Sequence, residues 1–155
     1  MKIWRLVRRR HAQTAEAAYS GDGAALRGGR WNSRYVRIAY ASTSRALALI
    51  ELLVHIDWSD LPDDLVIVGA TLEHPPLPAP PLSIGWDANP PGVASMHIGD
   101  AFVREAAAGA MLVPSAVVPG DHNVLINPAH AHFSAIVFDA VEEFVIDARI
   151  AQQKG

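Results

Sequence analysis

The segment 45–56, RALALIELLVHI, limits what this chain can fold into more than any other stretch. Its residues are apolar on nearly every side, which predicts a helix that is largely buried and runs to about Ile56. Ser42, Thr43 and Ser44 precede the segment and are candidates for its N-cap. Glu51 interrupts the apolar run, and an unpaired buried carboxylate is costly. Glu51 must therefore either be paired, most simply by an arginine, or face a cleft.

A metal site is the other reading of this helix. His55 follows Glu51 by four residues, a spacing at which two side chains on one helix face could share a metal ion. Three of the later histidines crowd segment 122–132, which invites a zinc hypothesis, but nothing in the sequence adds a second cluster of ligands to Glu51 and His55. We therefore expect no metal site and interpret His55 as a core histidine with satisfied hydrogen bonds. The three further histidines are His122, His130 and His132.

Composition narrows the class of protein. A chain of 155 residues, half of them hydrophobic, can bury one substantial core, so a single domain is expected over residues 1–155. A net charge of -3 gives no general attraction for nucleic acid or for an anionic membrane. The chain has no cysteine, which excludes disulfides, thiolate metal sites and cysteine nucleophiles. With no apolar run long enough to cross a bilayer, a soluble cytoplasmic protein is expected.

Apolar runs on both sides of the helix predict a sheet. The runs 36–40 and 65–72 are typical of strands, and Tyr40 stands at the end of the first. The prolines of segment 75–91 predict an ordered surface loop. The expected fold class is α+β, with a mixed β-sheet core and short flanking helices. The remaining expected elements are an opening strand at 2–7, closing strands at 136–138 and 144–146, and short helices at 11–19 and after Asp100 up to Gly109.

Two polar features outside the helix are candidates for function. Four glycines occur in segment 20–29, SGDGAALRGG, which predicts a loop with positive φ or close backbone approach. Such a loop could hold a phosphate through its amides, although neither a P-loop nor a dinucleotide fingerprint is present. Arg30 follows directly, and its planar donor fork suits phosphate or carboxylate. Ser115 lies in an otherwise apolar segment, where its hydroxyl needs a partner.

Five short motifs together resemble the RES-domain family, which is named for its arginine, glutamate and serine. The resemblance covers nearly the whole chain, and the motifs occur in the family's order. One departure occurs at Tyr35, because members often have glycine a few residues after the GRWN piece. The motifs are GGRWN at 28–32, YAS at 40–42, ALIE at 48–51, PSA at 114–116 and NVLINP at 123–128.

The resemblance implies the toxin of a type II toxin–antitoxin system, with a fold similar to the ADP-ribosyltransferase toxins and NAD as substrate rather than cofactor. It also implies an antitoxin partner with an Xre-like helix-turn-helix part that covers the active site, and it suggests a toxin homodimer within the complex. Asn32 and Asn123 lie in matching motifs and are expected to support NAD binding. Carried over by motif, the active-site residues are Arg30, Tyr40, Glu51 and Ser115.

The chemistry of NAD cleavage suits these residue types. Breaking the nicotinamide–ribose bond passes through an oxocarbenium-like ribose, which a carboxylate such as Glu51 would stabilise. Arg30 would bind the pyrophosphate or a ribose hydroxyl, and its charge would keep Glu51 ionised. Tyr40 would stack on the nicotinamide or adenine ring. Ser115 would hydrogen-bond the ribose or orient Glu51.

The acceptor of the ADP-ribosyl group stays open at this point. Water would give hydrolysis, inorganic phosphate would give phosphorolysis, and a protein side chain would give mono-ADP-ribosylation. NAD degradation ranks first because it needs only a small, accessible acceptor site. An alternative from a different class is a non-catalytic binding module in which Arg30 and Glu51 form a structural ion pair.

Overall fold

The structure, a computed structural model, describes residues 1–57 and 60–151. The expected domain over residues 1–155 also includes 58, 59 and 152–155, which lie outside the described residues. Strands and short helices alternate irregularly along the chain, which confirms the expected α+β class. The strands are β1 (Lys2–Arg8), β2 (Ala39–Ser42), β3 (Leu65–Thr71), β4 (Leu77–Pro78), β5 (Ala110–Pro114), β6 (His122–Ile126), β7 (Val137–Phe138) and β8 (Glu142–Glu143). The helices are α1 (Asp22–Arg27), α2 (Arg45–Leu53), α3 (Val93–Glu105) and α4 (Ala148–Ala151).

All the strands found in the described residues join one mixed sheet. Their order is β4-β5-β6-β2-β1-β3-β7, and β8 pairs with β3 beside β7. The β4 and β5 pair is parallel, and the other pairs are antiparallel. The sheet therefore brings the end of β2, early in the chain, next to the start of β6, more than half the chain later.

The alternation of side chains along each strand divides the core into two faces. One face carries a continuous apolar cluster that includes Ile3, Val66 and Val124. The opposite face carries two separate apolar clusters. One contains Leu6 and Ile67 under α2, and the other contains Leu125, together with residues of α3, on β5 and β6. Polar side chains at the end of β2 and the start of β6 lie on this second face, so the sequence motifs converge there.

Several expected elements are displaced. The expected helix from 11 to 19 is absent, and two short 3-10 turns, Arg9–His11 and Ala17–Tyr19, stand in its place. The expected strand 36–40 begins later, at Ala39, and the closing strand expected at 144–146 is found at β8. The glycine-rich segment is not a continuous loop, because it contains α1. Within the described residues, no helix is long and apolar enough to span a membrane.

Helix α3 is the largest departure from the expectation. The sequence predicts a helix beginning after Asp100, but α3 already begins at Val93 and has 13 residues. Its N-cap, Gly92, makes no side-chain hydrogen bond, so the usual capping signal is missing. Asp100 lies inside α3 and accepts hydrogen bonds from the backbone N–H and the hydroxyl of Ser33, at 2.9 and 2.5 Å. Asp100 therefore does not precede the helix but ties α3 to the segment after the GGRWN motif.

Candidate functional site

Helix α2 presents Glu51 beside the sheet. Ser44 is its N-cap, and the Ser44 hydroxyl accepts a hydrogen bond from the backbone N–H of Leu47 at 3.0 Å. The helix ends at Leu53, three residues before the expected end. Leu47 and Leu53 are buried, whereas Ile50 is 39% exposed. The helix is therefore only half-buried and not largely buried as the sequence predicted. Glu51 is half-buried at the boundary between the core and solvent.

Two neutral donors hold the Glu51 carboxylate. Its Oε1 accepts a hydrogen bond from the Ser115 hydroxyl at 2.6 Å and another from Asn123 Nδ2 at 2.5 Å. Neither donor carries a charge, so the carboxylate is oriented without being neutralised by a cation. Among the described residues, Oε2 accepts no hydrogen bond, which leaves this oxygen available to a ligand.

Ser115 is locked in place by its own turn. It is 5% exposed and follows the last residue of β5. Its hydroxyl oxygen accepts hydrogen bonds from the backbone N–H groups of Val117 and Val118, at 3.1 and 2.9 Å. Because two donors occupy the oxygen lone pairs, the hydroxyl hydrogen is directed to Glu51. Ser115 therefore orients Glu51 as a donor, which is one of the two roles expected from the sequence.

The arginine partner expected for Glu51 is not found. In the described part of the chain, none of the ion pairs between basic and acidic side chains involves Glu51 or Arg30. The structural Arg30–Glu51 ion pair on which the binding-module alternative rested is therefore absent. Glu51 is stabilised by hydrogen bonds from Ser115 and Asn123 instead.

Arg30 lies at the tip of a tight turn. Gly29 and Asn32 pair across this turn as an isolated antiparallel bridge, so Arg30 and Trp31 form its centre. A side chain at Gly29 would place its Cβ 2.8 Å from the Tyr40 hydroxyl, which explains why glycine precedes the arginine.

The Arg30 guanidinium holds the proline-rich loop. Its Nη1 donates hydrogen bonds to the backbone carbonyls of Trp86 and Ala88, at 2.8 and 3.0 Å. Trp86 in turn packs against Trp31, with ring centroids 5.8 Å apart. Within the described residues, Nε and Nη2 have no hydrogen-bond partner, so part of the donor fork is free for an anion. The sequence did not predict this contact, and a lone tryptophan within the proline-rich segment was its one visible sign.

Tyr40 is fixed through its hydroxyl. The hydroxyl donates to Asn32 Oδ1 at 2.6 Å and accepts from the backbone N–H of Trp31 at 3.0 Å. Burial raises the pKa of the Tyr40 hydroxyl far above its usual value, so it stays protonated at any physiological pH. Tyr40 therefore anchors the Arg30 turn and does not act as a base.

Asn32 differs from the role expected for it. It is fully buried, and its Nδ2 donates to the carbonyls of Ala24, Ser33 and Val36 at 2.9 to 3.1 Å. With the Tyr40 hydroxyl on its Oδ1, both ends of the amide are occupied. Asn32 therefore holds the turn together and does not contact a ligand in this conformation.

Tyr40, which holds the Arg30 turn, and the polar residues around Glu51 lie on the same face of the sheet. Tyr40 and Ser42 are separated by one residue on β2, so both side chains project from that face, about 7 Å apart along the strand. Ser42 pairs in register with Asn123 of β6, and its hydroxyl donates to Asn123 Oδ1 at 2.7 Å. Strand β2 thus links the Arg30 turn to the Glu51 cluster, which we define as Glu51, Ser115 and Asn123.

Tyr40→Phe is expected to lower any activity of this site by moving the Arg30 turn, and to destabilise the fold by about 1–3 kcal/mol because buried polar groups lose their partner. Tyr19→Phe is the matched control. The Tyr19 hydroxyl is buried, donates to the Val68 carbonyl at 2.9 Å, and lies with the cluster on the opposite sheet face. Urea unfolding should show similar losses for both variants, whereas only Tyr40→Phe should lose activity. Equal activity losses would contradict a specific role for Tyr40.

The histidines do not gather at this site. His55 is exposed, so the prediction of a core histidine is wrong. His122 lies at the exposed start of β6, while His130 and His132 pack together with ring centroids 4.5 Å apart. His132 also stacks on His74 at 3.7 Å. Across residues 1–57 and 60–151, no group of three or more histidines and carboxylates could hold a metal ion.

Tyr35 occupies a conformation that favours glycine. Its φ is 72°, in the left-handed region, and its side chain is 83% exposed. Its backbone N–H donates to the Ala25 carbonyl at 2.7 Å, which fixes the loop that leads into β2. Tyr35 thus keeps the backbone shape that a glycine would adopt easily.

Known proteins share this architecture. A chain of the M. tuberculosis MbcT–MbcA toxin–antitoxin complex superposes with a TM-score of 0.73 over 98% of this chain and 87% of that chain, at 14% sequence identity. This chain therefore shares its α+β fold with that chain. The RES domain profile matches residues 2–147, and the chain therefore belongs to the RES-domain family. The family assignment made from the sequence motifs is confirmed.

Three relatives align over almost their entire lengths. A protein of Sphingobium sp. named Prs ADP-ribosylating toxin is 38% identical over 162 residues, with 97% of each chain covered. A protein of Photorhabdus laumondii named Toxin Res is 32% identical over 158 residues, with 99% of each chain covered. A third relative, also named Toxin Res, is from Pseudomonas putida and is 33% identical over 156 residues, with 97% of this chain and 99% of the relative covered.

Proposed function

We propose that this chain is the toxin of a toxin–antitoxin system and that it degrades NAD by cleaving the nicotinamide–ribose bond. Membership of the RES-domain family and the toxin names of the relatives support the first part. The orientation of Glu51 by two neutral donors supports the second part. NAD serves as the substrate, and the reaction needs no other cofactor.

The Glu51 carboxylate is the group on which this proposal rests. A carboxylate paired with arginine would have its charge largely compensated before any substrate arrived. Here the donors on Oε1 are a hydroxyl and an amide, so the negative charge remains available to a developing oxocarbenium ion. The free Oε2 would accept a hydrogen bond from a hydroxyl of the nicotinamide ribose. Ser115 and Asn123 keep the carboxylate from rotating as charge develops.

Arg30 would bind the pyrophosphate. Its Nη1 stays with the carbonyls of Trp86 and Ala88, while Nε and Nη2 point two further donors at an anion. In the reaction, the bond between ribose C1′ and the nicotinamide nitrogen breaks, and its electron pair leaves with neutral nicotinamide. Water attacks C1′ and loses a proton to solvent, which yields ADP-ribose. Inorganic phosphate in place of water yields the corresponding 1-phosphate.

Protein ADP-ribosylation is the second candidate. The name of the Sphingobium relative, Prs ADP-ribosylating toxin, favours it. The bond that breaks and the role of Glu51 are the same in both reactions, and only the acceptor changes. We rank degradation first because a water or phosphate acceptor needs no further protein-binding surface beside the Glu51 cluster.

A cytoplasmic antitoxin partner is part of the proposal. The structural neighbour comes from a toxin–antitoxin complex, which supports a protein partner for this chain as well. The motif resemblance adds that the partner carries an Xre-like helix-turn-helix part, covers the site, and binds a toxin homodimer. Co-expression with the product of the neighbouring reading frame should relieve growth arrest, and size-exclusion chromatography with light scattering should give the stoichiometry.

The direct test is nicotinamide release. Purified protein is incubated with NAD in buffers with and without phosphate, and the products are separated by chromatography. We expect free nicotinamide together with ADP-ribose or its 1-phosphate. Label transferred from adenylate-labelled NAD to a polypeptide would favour protein modification instead. Intact NAD in every buffer, including one supplemented with cell lysate as a source of acceptors, would exclude both reactions.

A further inference from the structure

Ser42 is a buried polar residue that the proposed mechanism does not use. It is 4% exposed, and its hydroxyl donates to Asn123 Oδ1 at 2.7 Å. The sequence suggested Ser42 as a candidate N-cap for α2, a role that Ser44 fills, and as the last residue of the YAS motif, with no role in the site. The hydroxyl of Ser42 therefore contributes nothing to the helix and is directed across the sheet to β6.

The contact with Ser42 determines which way the Asn123 amide points. An ionised carboxylate can only accept hydrogen bonds, so Asn123 must present Nδ2 to Glu51 and Oδ1 to the opposite side. On that side Oδ1 accepts a hydrogen bond from the Ser42 hydroxyl. A flipped amide would place two acceptor oxygens against each other at Glu51. The three groups thus form one chain in which each donates to the next, from Ser42 through Asn123 to Glu51 Oε1.

The strand register makes this chain of donors rigid. Ser42 and Asn123 are direct cross-strand partners of β2 and β6, and Ser42 is also the cross-strand partner of Trp4 on β1. The backbone of Ser42 is therefore held between two neighbouring strands. At 4% exposure, water cannot easily take the place of its hydroxyl. Without that donor, Asn123 Oδ1 is left unsatisfied and the amide can rotate away from Glu51.

We propose that Ser42 is a positioning residue for the NAD-cleaving reaction, acting through Asn123 to orient the Glu51 carboxylate. This inference rests on the proposed function. It predicts that Ser42 affects the rate of the chemical step and leaves substrate binding unchanged, because Ser42 does not itself contact Oε2 or Arg30. A small misplacement of a catalytic group is enough to slow such a step.

The test combines Ser42→Ala with a double-variant cycle. Ser42→Ala should lower kcat for nicotinamide release about tenfold, with KM for NAD changed less than about twofold. Ser42→Thr, which keeps the hydroxyl, should restore most of kcat. In an Asn123→Ala background, Ser42→Ala should cause no further loss, because the side chain through which it acts is gone. An equal loss in both backgrounds, an unchanged kcat, or a raised KM would overturn the inference.

Ser95→Ala is the matched control. Ser95 is also a fully buried serine, but its hydroxyl donates at 3.3 Å to the Gly92 carbonyl, within the first turn of α3. It should lose stability without losing kcat. A general effect of burying alanine in place of serine would lower kcat in both variants and would overturn the specific role of Ser42.

A measurement without NAD separates this inference from the proposed function. The side-chain amide signals of Asn123 can be followed by 15N–1H NMR in the wild-type and Ser42→Ala proteins. We expect a clear shift of both amide hydrogens and faster exchange with water in Ser42→Ala, and near-wild-type signals in Ser42→Thr. An inactive wild type with this shift would refute NAD cleavage while retaining the orienting contact. Unchanged amide signals would refute the contact whatever the activity.

Discussion

Glu51→Gln should release nicotinamide from NAD at least about a hundredfold more slowly than the wild-type protein. Glutamine has nearly the same shape as glutamate, and its side-chain oxygen can still accept hydrogen bonds from Ser115 and Asn123. The substitution therefore removes the negative charge while it keeps the geometry of the Glu51 cluster. Because the charge is needed only as the ribose becomes positive, kcat should fall much more than the affinity for NAD. Rates from product chromatography over a range of NAD concentrations give both quantities.

Glu105→Gln is the matched control for this experiment. Glu105 is the last residue of α3, and its side chain is 67% exposed in an ion pair with Arg104. An exposed pair of this kind contributes little to stability, so the variant should keep wild-type activity. Thermal unfolding should confirm that both proteins are folded. If Glu51→Gln keeps more than a tenth of wild-type kcat, Glu51 is not the group that stabilises the transition state.

The sequence singled out Glu51, and the family resemblance named Ser115 as a group that could orient it, but Asn123 was expected only to support NAD binding. Helical periodicity alone placed a carboxylate on an apolar helix, and that anomaly required an explanation. The partners lie 64 and 72 residues away in the chain and reach Glu51 only through the register of β2, β6 and the turn after β5. Register depends on the pairing of whole strands, so no local pattern could indicate that Ser115 and Asn123, rather than an arginine, would meet Glu51.

Other errors have local causes. Helix α3 begins at a glycine N-cap without a capping side chain, so its first two turns gave no start signal. Strand β2 begins later than the strand predicted at 36–40, because the Val36 carbonyl accepts a hydrogen bond from Asn32 rather than from a neighbouring strand, and it continues past Tyr40 to Ser42. The motifs pointed to residues that the structure places in two groups, the Arg30 turn and the Glu51 cluster, and their catalytic roles stay predictions. The motifs could not distinguish Asn32, which holds the turn, from Asn123, which holds the carboxylate.

The proline-rich loop holds Arg30 through backbone carbonyls. Arg30 is held at the tip of its turn by Gly29, which approaches Tyr40, and its guanidinium reaches Trp86 and Ala88 in that loop. One side chain thus connects the turn to the loop and offers its remaining donors to an anion. Loss of Arg30 should accordingly affect the binding of NAD and the position of the loop together.

Arg30→Ala should lower kcat/KM for NAD by at least about a hundredfold, because it removes both the proposed contact with the pyrophosphate and the hydrogen bonds to the carbonyls of Trp86 and Ala88. Arg30→Lys should recover only part of this loss, remaining about tenfold below wild type, since an ammonium group cannot donate to two carbonyls and still present a planar fork to a phosphate. Limited proteolysis should show faster cleavage within segment 75–91 in both variants.

Arg34→Ala is the matched control for Arg30, because Arg34 is an exposed arginine four residues further along the same loop and lies over the Tyr35 ring at 5.5 Å. It removes the same charge from the same region without touching the carbonyls of Trp86 and Ala88. If Arg34→Ala and Arg30→Ala reduce kcat/KM equally, the effect is one of local charge, and the donor fork of Arg30 has no special role. A wild-type kcat/KM in Arg30→Lys would lead to the same conclusion, because a positive charge alone would then be sufficient.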